Sequence, residues 1–483
     1  MAAETHHASV DLGRRNGSLF VWFRIFFNCR FYYPVYAVMF LDFGLTSEQF
    51  AWLNTAWAAA IVLLEVPSGA LADHFGRRPL VLAASFLMLV EMLVLLAVPA
   101  VNALDPQWQQ QPGALNRSLA LLFGVFLVNR IVSGAAEAAA SGADEALAYD
   151  SFPPTERQEA WTALTVRLMH WQSVAFIFVT LSGAAMYDPE VFNRVADWFH
   201  SNATFTKATT LKLPILGTLV MSLGAIICAL AMREPGPAPE AELTFKESLR
   251  RSHRSILSAA RWIPTAPAAF MLLILGLFFD SIIRLYYTVG SLYLTLLGFA
   301  ERHFGLVSVA GSLAGMFAAW LGSRLMRHRS PGFNFHFIAV LVFIGLFSLA
   351  HPWHIYGVVF LLPLWLSMRL LHFFLSNYLN RVTDSAHRAT VLSFRGMSMN
   401  LFYGAVTVLY GIQTHYLEKR SGLDESTSPG ISGAGEKIFG EAVSWWWIYF
   451  VAGFLVLTGY RRWRYGRGMT ALIAEGESAV NRN

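Results

Sequence analysis

The chain has 483 residues and a formal net charge of +5; 55% of its residues are hydrophobic and only 14% are charged. A soluble protein carries about a quarter charged residues, so this composition excludes a soluble globular chain and predicts an integral membrane protein. The positive charge does not require a nucleic-acid partner, because Lys and Arg collect on the cytoplasmic side of membrane proteins.

Twelve apolar stretches are long enough to cross a bilayer, which takes about 20 residues of helix. They lie near 18–43, 48–70, 79–100, 117–148, 157–187, 212–232, 266–297, 304–326, 333–350, 355–380, 389–416 and 441–460. Each is predicted to be a helix, because hydrocarbon offers the backbone no other hydrogen-bond partner. A cytoplasmic N-terminus places most Lys and Arg residues on the inner side, so both termini are expected there.

The order of the spans predicts five segments along the chain. These are a cytoplasmic tail at 1–17, a six-helix bundle at 18–232, a cytoplasmic linker at 233–265, a second six-helix bundle at 266–462 and a cytoplasmic tail at 463–483. From Thr244 the linker spaces apolar residues among basic ones, which is typical of an amphipathic helix on a membrane surface. A solvated charged linker fits the same residues, and both interpretations stay open.

The two halves repeat one another. The stretch "RFYYPVYAVMFLDFGLTSEQF", which begins at Arg30, aligns without gaps with "RLYYTVGSLYLTLLGFAERHF", which begins at Arg284. In the same way "TALTVRLM" aligns with "TVLSFRGM" and superposes Arg167 on Arg395. Both matches relate one span to the sixth span after it. A parallel repeat of two six-helix bundles with a site between them is typical of transporters.

A charged turn separates the second and third spans, with the sequence "GALADHFGRRPL" at 69–80. Gly69 and Gly76 allow close helix approach and a tight reversal. Arg77 and Arg78 lie where the topology requires positive charge, but topology does not require the acid, Asp73. We interpret Asp73 as part of an ion-pair latch that holds one arrangement of the bundles and releases in another.

This turn resembles the signature loop of the major facilitator superfamily (MFS), Gly-x-Leu-Ala-Asp-x-x-Gly-Arg-Arg-x-x-Leu. The resemblance implies an all-α membrane protein with the MFS fold, in which twelve helices form two six-helix bundles related by a pseudo-twofold axis. It also implies that the charges of the loop pair with acids on the fourth helix and with the start of the eleventh, "DSAHRATVLS". The candidates on the fourth helix are Asp144, Glu145 and Asp150, and Glu65 lies one turn before the loop.

A second motif, "LVNRIVSGAAEAA" on the fourth span, resembles the Arg-x-x-x-Gly-x-x-x-Ala pattern of the same family. The resemblance places Arg130 at the arginine that is associated with proton coupling in many members. The Gly-Pro motif that drug/proton antiporters often carry on the fifth helix is absent from 161–187. Its absence disfavours drug efflux.

Charged residues within the spans are costly, at about 2.5–3.5 kcal/mol each on insertion scales, so they are expected to face a partner or a wet cavity. The deep acids are Glu65, Glu91, Glu137 and Asp280. The residues predicted to line a cavity and bind substrate are Arg30, Tyr33, Arg130, Arg167, Arg284, Tyr287, Arg369 and Arg395. Structural pairing is the alternative, as for Asp280 and Arg284, which lie four residues apart on one helix. Arg30 has no acid within a turn and is expected to be unpaired.

Proton coupling requires groups that change charge near neutral pH. Glu137 and Asp280 are the carboxylate candidates. His170 lies three residues after Arg167, and His372 lies three residues after Arg369, so each shares a helix face with an arginine. Glu91 lies on a supporting helix in the family and is interpreted as part of a packing ion pair.

The predicted function is secondary active transport of a small organic solute, preferably an organic anion, with proton coupling and rocker-switch alternating access. The protein is expected to act without a cofactor or metal, as a monomer in the lipid bilayer of a bacterial inner membrane. A proton-coupled exporter of drugs or lipophilic compounds is the alternative, and a receptor without flux is a third possibility. An enzyme is not expected, because the 14 histidines are scattered and no H-E-x-x-H motif occurs.

Overall fold

The computed structural model describes residues 2–98, 112–235, 245–383, 385–422 and 434–480, and every regular element in these ranges is a helix. Ten helical segments there are long and apolar enough to cross a membrane. Many of their large apolar side chains are exposed, for example Leu63, Leu121 and Met316. A bilayer is the solvent that accepts such surfaces, and the chain is a multi-pass membrane protein.

The helices of the first half run from α1 to α11. Their bounds are Ala2–Asn28 (α1), Tyr36–Asp42 (α2), Ser47–Phe75 (α3), Arg77–Ala97 (α4), Pro112–Ala140 (α5), Ala143–Asp150 (α6), Arg157–Tyr187 (α7), Pro189–Trp198 (α8), Lys207–Thr210 (α9), Leu213–Ala231 (α10) and Phe245–Trp262 (α11).

The second half continues with α12 to α19. Their bounds are Pro267–Leu296 (α12), Phe304–His328 (α13), Pro331–Leu349 (α14), Leu362–Val382 (α15), Ser385–Ser421 (α16), Ala434–Ser444 (α17), Trp446–Tyr465 (α18) and Met469–Val480 (α19). Short 3-10 turns occur at Tyr33–Val35, Ile263–Thr265, Glu301–His303 and Tyr356–Leu361.

The first predicted span is not one continuous helix. The α-helix α1 already begins at Ala2, ends at Asn28 and is followed by a 3-10 turn and α2. Pro34 lies in that turn, and a proline in a helix interior removes a hydrogen bond and clashes with the preceding turn. The break places Arg30 between two helices instead of on a helix face.

The sequence repeat is visible in the backbone as well. Gly44 and Gly298, which the repeat aligns, both have positive φ angles, of 108° and 84°. Each follows the end of a helix, because the left-handed conformation ends the helix and is tolerated best by glycine. The parallel repeat therefore extends to the backbone.

The chain divides into two compact units. Unit 1 contains Met1–Gly44, Ala56–His253 and Ala300–Leu306, and unit 2 contains Leu45–Thr55, Arg254–Phe299 and Val307–Asn483. In unit 1, α1, α4 and α10 pack around a core with Phe23 and Met88 at its centre. In unit 2, α12 packs against α15 and α16. These two helix groups position the charged residues described below.

Candidate functional site

A buried charge cluster lies in unit 1, formed by Arg30, Tyr32, Glu91 and Glu137. Arg30 Nη1 donates to the Glu91 oxygens at 2.7 and 2.9 Å and to the Tyr32 hydroxyl at 2.7 Å. Arg30 Nη2 lies 3.5 Å from Glu137 Oε1. Only 2% of Arg30 is exposed. We call this group the unit 1 charge cluster.

The expectation that Arg30 is unpaired was therefore wrong. Its partners come from α4 and α5, so the absence of an acid within one turn of its own chain did not matter. Glu91 forms the buried packing pair predicted for it. An arginine enclosed in this way cannot bind a ligand without giving up a buried ion pair, which costs several kcal/mol.

Arg130 lies on α5 and is also almost fully buried, with 6% of its surface exposed. Its guanidinium carbon is 5.6 Å from the ring centre of Tyr36 and 5.4 Å from that of Trp57. Aromatic faces stabilise a cation in this position. Its Nε atom has no hydrogen-bond partner. The environment of Arg130 is therefore aromatic.

A second buried cluster lies in unit 2 and is centred on Asp280, whose side chain has no exposed surface. One carboxylate oxygen lies 2.6 Å from Arg284 Nη2, and the other lies 2.8 Å from His372 Nε2. Arg284 Nη1 also donates to Asn400 Oδ1 at 3.0 Å, and its guanidinium stacks near the Tyr403 ring. The predicted Asp280–Arg284 pair is present.

Two further arginines belong to the helices of this cluster. Arg395 on α16 interacts electrostatically with Asp280, and its buried Nη1 atom has no hydrogen-bond partner in the part of the chain that the structure describes. Arg369 on α15 is exposed and interacts with the partly exposed Tyr287. Within the described ranges neither arginine forms an ion pair. We call Asp280, Arg284, His372, Arg395 and Arg369 the unit 2 charge cluster.

Two predicted site residues, Arg167 and His170, lie apart from the clusters, whereas Tyr33 interacts electrostatically with Arg30 and Glu137 of the unit 1 charge cluster. Arg167 is exposed and its guanidinium lies 3.5 Å from Ser18 Oγ. His170 is exposed and contacts the Trp171 ring. Tyr33 is 40% exposed and packs its ring edge-on to that of Tyr32. The repeat predicted equivalent positions for Arg167 and Arg395, but their surroundings differ.

The charged turn forms a separate network in unit 1. Arg77 forms an ion pair with Asp150 and donates to the Ala146 carbonyl oxygen at 3.0 Å. Asp150 is shared with Arg157 Nη1 at 3.3 Å. Of the three candidate acids, the structure thus places Asp150 beside Arg77. The side chains of Asp73 and of residues 384–390 lie outside the described part of the structure.

The other acids of the predicted latch have different partners. Asp144 is fully buried and lies 3.2 Å from Arg24, while Glu145 lies 2.7 Å from the same guanidinium. Glu65 Oε2 is buried without a hydrogen-bond partner. Gly69 has open space around it, whereas Gly76 has a φ of 93° and ends α3 at the turn.

Sequence reasoning missed the group that completes this turn. The carboxylate of Glu234 accepts hydrogen bonds from the backbone nitrogens of Arg77 and Arg78, at 3.0 and 2.9 Å. A carboxylate at a helix N-terminus satisfies free N–H groups and the helix dipole. Arg78 donates in addition to the Leu230 carbonyl oxygen at 2.9 Å. No local signal marks Glu234, because it lies 157 residues from Arg77.

A further ion-pair network of unit 1 lies around α8 and was also missed. Arg302 pairs with Asp188 at 3.1 Å and with Glu190. Hydrogen bonds from Arg194 and Arg302 hold the pKa of the Glu190 carboxyl below its usual value. Asp188, Glu190 and Arg194 lie together at the start of α8, but Arg302 lies 114 residues after Asp188, so only folding brings it to them.

The fold and the paired intramembrane charges define a class of protein, a multi-pass transporter. Residues 19–407 match the family model of the Major Facilitator Superfamily, and the chain belongs to that family. It is therefore a secondary transporter of small molecules and not an enzyme. The sequence-based recognition of the family and of its twelve-helix fold is confirmed.

Solved structures of similar fold are distant in sequence. A bacterial homologue of the human lysosomal transporter Spinster shares 15% identity over 93% of this chain and 95% of its own, with a TM-score of 0.63. The nucleoside transporter NupG shares 11% identity over 93% and 100%, with a TM-score of 0.62. A D-xylose-proton symporter shares 16% over 92% and 97%, with a TM-score of 0.54. No curated protein matches the chain in sequence.

Proposed function

We propose that the protein is a proton-coupled secondary transporter of a small organic anion. The observation that carries this proposal is the excess of arginine in the unit 2 charge cluster. Arg284, Arg369 and Arg395 accompany a single aspartate, so the cluster has two surplus positive charges when His372 is neutral. A guanidinium binds carboxylate or phosphate with two parallel hydrogen bonds.

Arg395 is the residue best suited to bind the substrate. Its Nη1 atom is buried and has no hydrogen-bond partner among the described residues, and an unsatisfied buried donor costs about 1–3 kcal/mol. A substrate carboxylate at this atom would remove that cost and neutralise surplus charge in one step. Arg369 would supply the second positive charge from α15. In the described ranges of unit 1, Arg30, Arg78 and Arg130 also have a buried Nε without a hydrogen-bond partner, but the charge of Arg30 is balanced by Glu91 and Glu137.

Proton coupling is proposed to use His372 together with Asp280. His372 Nε2 lies 2.8 Å from the Asp280 carboxylate, and 42% of the His372 side chain is exposed, so the imidazole can exchange a proton with water beside the buried acid. Protonation adds positive charge to the cluster, so it favours binding of an anion, and proton loss favours release. Proton coupling is named for one protein of similar fold, the D-xylose-proton symporter.

The substrate class is tested by transport in proteoliposomes. A thermal-shift screen of metabolites and drugs supplies the best ligand, and counterflow of that ligand is measured. We expect an anion, and we expect Arg395→Gln to weaken it by about 10- to 100-fold, because hydrogen bonds to charged groups contribute about 1.5–3 kcal/mol. Arg464→Gln is the control, because Arg464 is an exposed arginine in the last turn of α18. A cationic or neutral lipophilic ligand would replace the anion proposal with drug export.

We also propose that the charged turn acts as a latch, in which Asp73 and Arg77 stabilise the outward-facing state during alternating access. Support comes from the Arg77–Asp150 pair and from Glu234, which together hold the start of α4. Asp73→Asn is expected to abolish most transport in a protein that folds and inserts normally. Flux at the wild-type level from well-expressed Asp73→Asn would contradict the latch.

The proposal also includes the membrane in which the protein lies and its orientation in that membrane. We place the protein as a monomer in a bacterial inner membrane, with residues 1–17, 233–265 and 463–483 in the cytoplasm and six helices in each of the bundles 18–232 and 266–462. The distribution of Lys and Arg supports this orientation. The orientation is tested by replacing one exposed serine at a time with cysteine, in the variants Ser478→Cys and Ser201→Cys. Each variant is treated with a thiol reagent that cannot cross the membrane. Only Ser201→Cys should react in intact spheroplasts; Cys29 and Cys228 are buried.

A further inference from the structure

One cluster of metal-ligating side chains lies apart from both charge clusters, in unit 2. Glu48 in the first turn of α3 and His415 and Glu418 near the end of α16 direct three donor atoms to one place. A carboxylate oxygen of each glutamate and one imidazole nitrogen all lie within 4.8 Å of one another. His415 Nδ1 lies 2.9 Å from Glu48 Oε2.

Packing contacts along α3 and α16 fix the distance between these two helices. Thr55 Oγ1 and Thr407 Oγ1 are hydrogen-bonded at 2.9 Å. Gly411, one turn later on α16, has no side chain, and a Cβ there would lie 3.3 Å from Ala51 Cβ. His415 follows one turn beyond Gly411. The three positions on α16 are four residues apart and form one stripe, so the donor atoms are held by packing in addition to their own hydrogen bond.

Glu48 is also oriented by a neighbour that would not bind a metal itself. The Trp52 indole N–H donates to Glu48 Oε1 at 3.2 Å and leaves Oε2 directed to His415. Ligands of protein metal sites are commonly held by such outer hydrogen bonds. Glu48 and Glu418 are partly buried, while His415 is exposed, so a cation from solution can reach the imidazole.

We propose that Glu48, His415 and Glu418 bind a divalent transition-metal cation of the zinc class. One imidazole and two carboxylates are a donor set that suits Zn²⁺, whereas Mg²⁺ prefers oxygen ligands alone. In a tetrahedral zinc site the ligand atoms are separated by about 3.4 Å, given metal–ligand distances of about 2.0–2.2 Å. The three donor atoms lie within 4.8 Å of one another, so binding requires the side chains to adjust toward that separation. The remaining position takes water.

Binding would connect the start of α3 to the end of α16. The metal replaces the hydrogen bond between Glu48 and His415 with two stronger ligand bonds. It requires the neutral form of the imidazole, so affinity falls when the solution is acidified. The site does not depend on the substrate class, and its test does not use transport.

The experiment measures Zn²⁺ binding to the full-length protein in detergent, after removal of any histidine tag. Isothermal titration gives the stoichiometry, and the visible spectrum of the Co²⁺-loaded protein gives the coordination geometry. We expect one strong site in the wild type. His415→Ala and Glu418→Gln should each weaken it by more than tenfold, and Trp52→Phe should weaken it by about tenfold through loss of the outer hydrogen bond.

His351→Ala is the matched control, because His351 is an exposed histidine of unit 2, two residues after α14, whose Nδ1 contacts the Phe347 carbonyl oxygen. This variant should bind Zn²⁺ like the wild type. The proposal is overturned if the wild type binds no Zn²⁺, or if His415→Ala binds it as tightly as the wild type. If His415→Ala does not fold, Glu418→Gln and the Co²⁺ spectrum of the wild type decide the question.

Discussion

The charge clusters of the two units begin at aligned positions of one repeat and differ in their balance of charge. Arg30 and Arg130 of unit 1 accompany two glutamates, and Arg30 is enclosed by ion pairs. In unit 2, Arg284 has the aligned position, but its acid lies on its own helix and is shared with a histidine. A balanced, buried cluster holds helices together, whereas a surplus of positive charge leaves binding capacity for a ligand.

The comparison separates two roles that an arginine within the membrane can have, a structural ion pair and a contact to substrate. Arg30 is costly to bury, and Glu91 offsets that cost by a short ion pair. Arg395 forms no ion pair with the described residues, and its buried Nη1 has no hydrogen-bond partner among them, which is unfavourable for folding alone. Groups held in an unfavourable environment are most frequent where binding or catalysis requires them. The predictions below test whether the two clusters divide structural and transport roles in this way.

The largest expected difference concerns stability. Glu91→Gln leaves the guanidinium of Arg30 buried with the Tyr32 hydroxyl and with the longer contact to Glu137 as its remaining ion pair, and breaking a buried pair costs about 3–5 kcal/mol. Asp280→Asn should cost less, because Arg284 is partly exposed and keeps Asn400 as a partner. Thermal unfolding of the purified variants measures both effects.

A double variant serves as the control for this prediction. Arg30→Gln combined with Glu91→Gln removes both charges, so it should recover part of the stability lost in Glu91→Gln. If Glu91→Gln unfolds at the same temperature as the wild type, Arg30 is not held by this pair. Equal losses in Glu91→Gln and Asp280→Asn would remove the distinction between the clusters.

The second prediction concerns proton coupling. His372→Asn keeps a polar side chain beside Asp280 but cannot carry a proton, so accumulation driven by a pH gradient should be lost while counterflow continues. Glu137→Gln in unit 1 should leave accumulation unchanged. The measurement is uptake into proteoliposomes with and without an imposed gradient. Accumulation that survives in His372→Asn but fails in Glu137→Gln would transfer the coupling role to unit 1.

The third prediction compares the same substitution at two arginines. Lysine keeps the charge and loses the planar fork. Arg395→Lys is expected to weaken the apparent affinity for the transported anion by about tenfold, which corresponds to about 1.4 kcal/mol. Arg30→Lys should leave affinity unchanged and lower the unfolding temperature instead. Reduced affinity in Arg30→Lys with unchanged stability would restore Arg30 as a substrate contact.

Much of the fold was predictable from the sequence, because lipid imposes helices and because the repeat and the charged turn are local patterns. The spans, the family and the pair of Asp280 with Arg284 were all predicted on this basis. Contacts between helices were not predictable in the same way. Glu91 lies 61 residues from Arg30, and Glu234 lies 157 residues from Arg77, so no periodicity relates them.

The three metal-ligating side chains around His415 were also not predictable, because they too meet through contacts between helices. His415 and Glu418 have an ordinary i, i+3 spacing, and Glu48 is 367 residues from His415 in sequence. A search for short metal motifs therefore finds nothing, and no metal was expected. The broken first helix is a different case, since Pro34 signalled it within the sequence but the apolar run around it indicated a continuous span.

The smallest expected effect is at the tyrosines that the repeat aligns, Tyr33 and Tyr287. Both are 40–45% exposed and both contact a neighbouring tyrosine ring edge-on. Tyr287 interacts in addition with Arg369, so its hydroxyl lies near surplus positive charge where an anion would bind. One hydrogen bond contributes about 1 kcal/mol.

Tyr287→Phe is therefore expected to raise the KM for the anion by about fivefold without changing the unfolding temperature. Tyr33→Phe removes the same hydroxyl at the aligned position of unit 1, beside an arginine whose charge is already neutralised, and should change neither quantity. Initial rates of uptake at a series of substrate concentrations distinguish the two variants. Equal increases in KM would mean that both clusters contact the substrate, because the tyrosines differ mainly in the charge balance beside them.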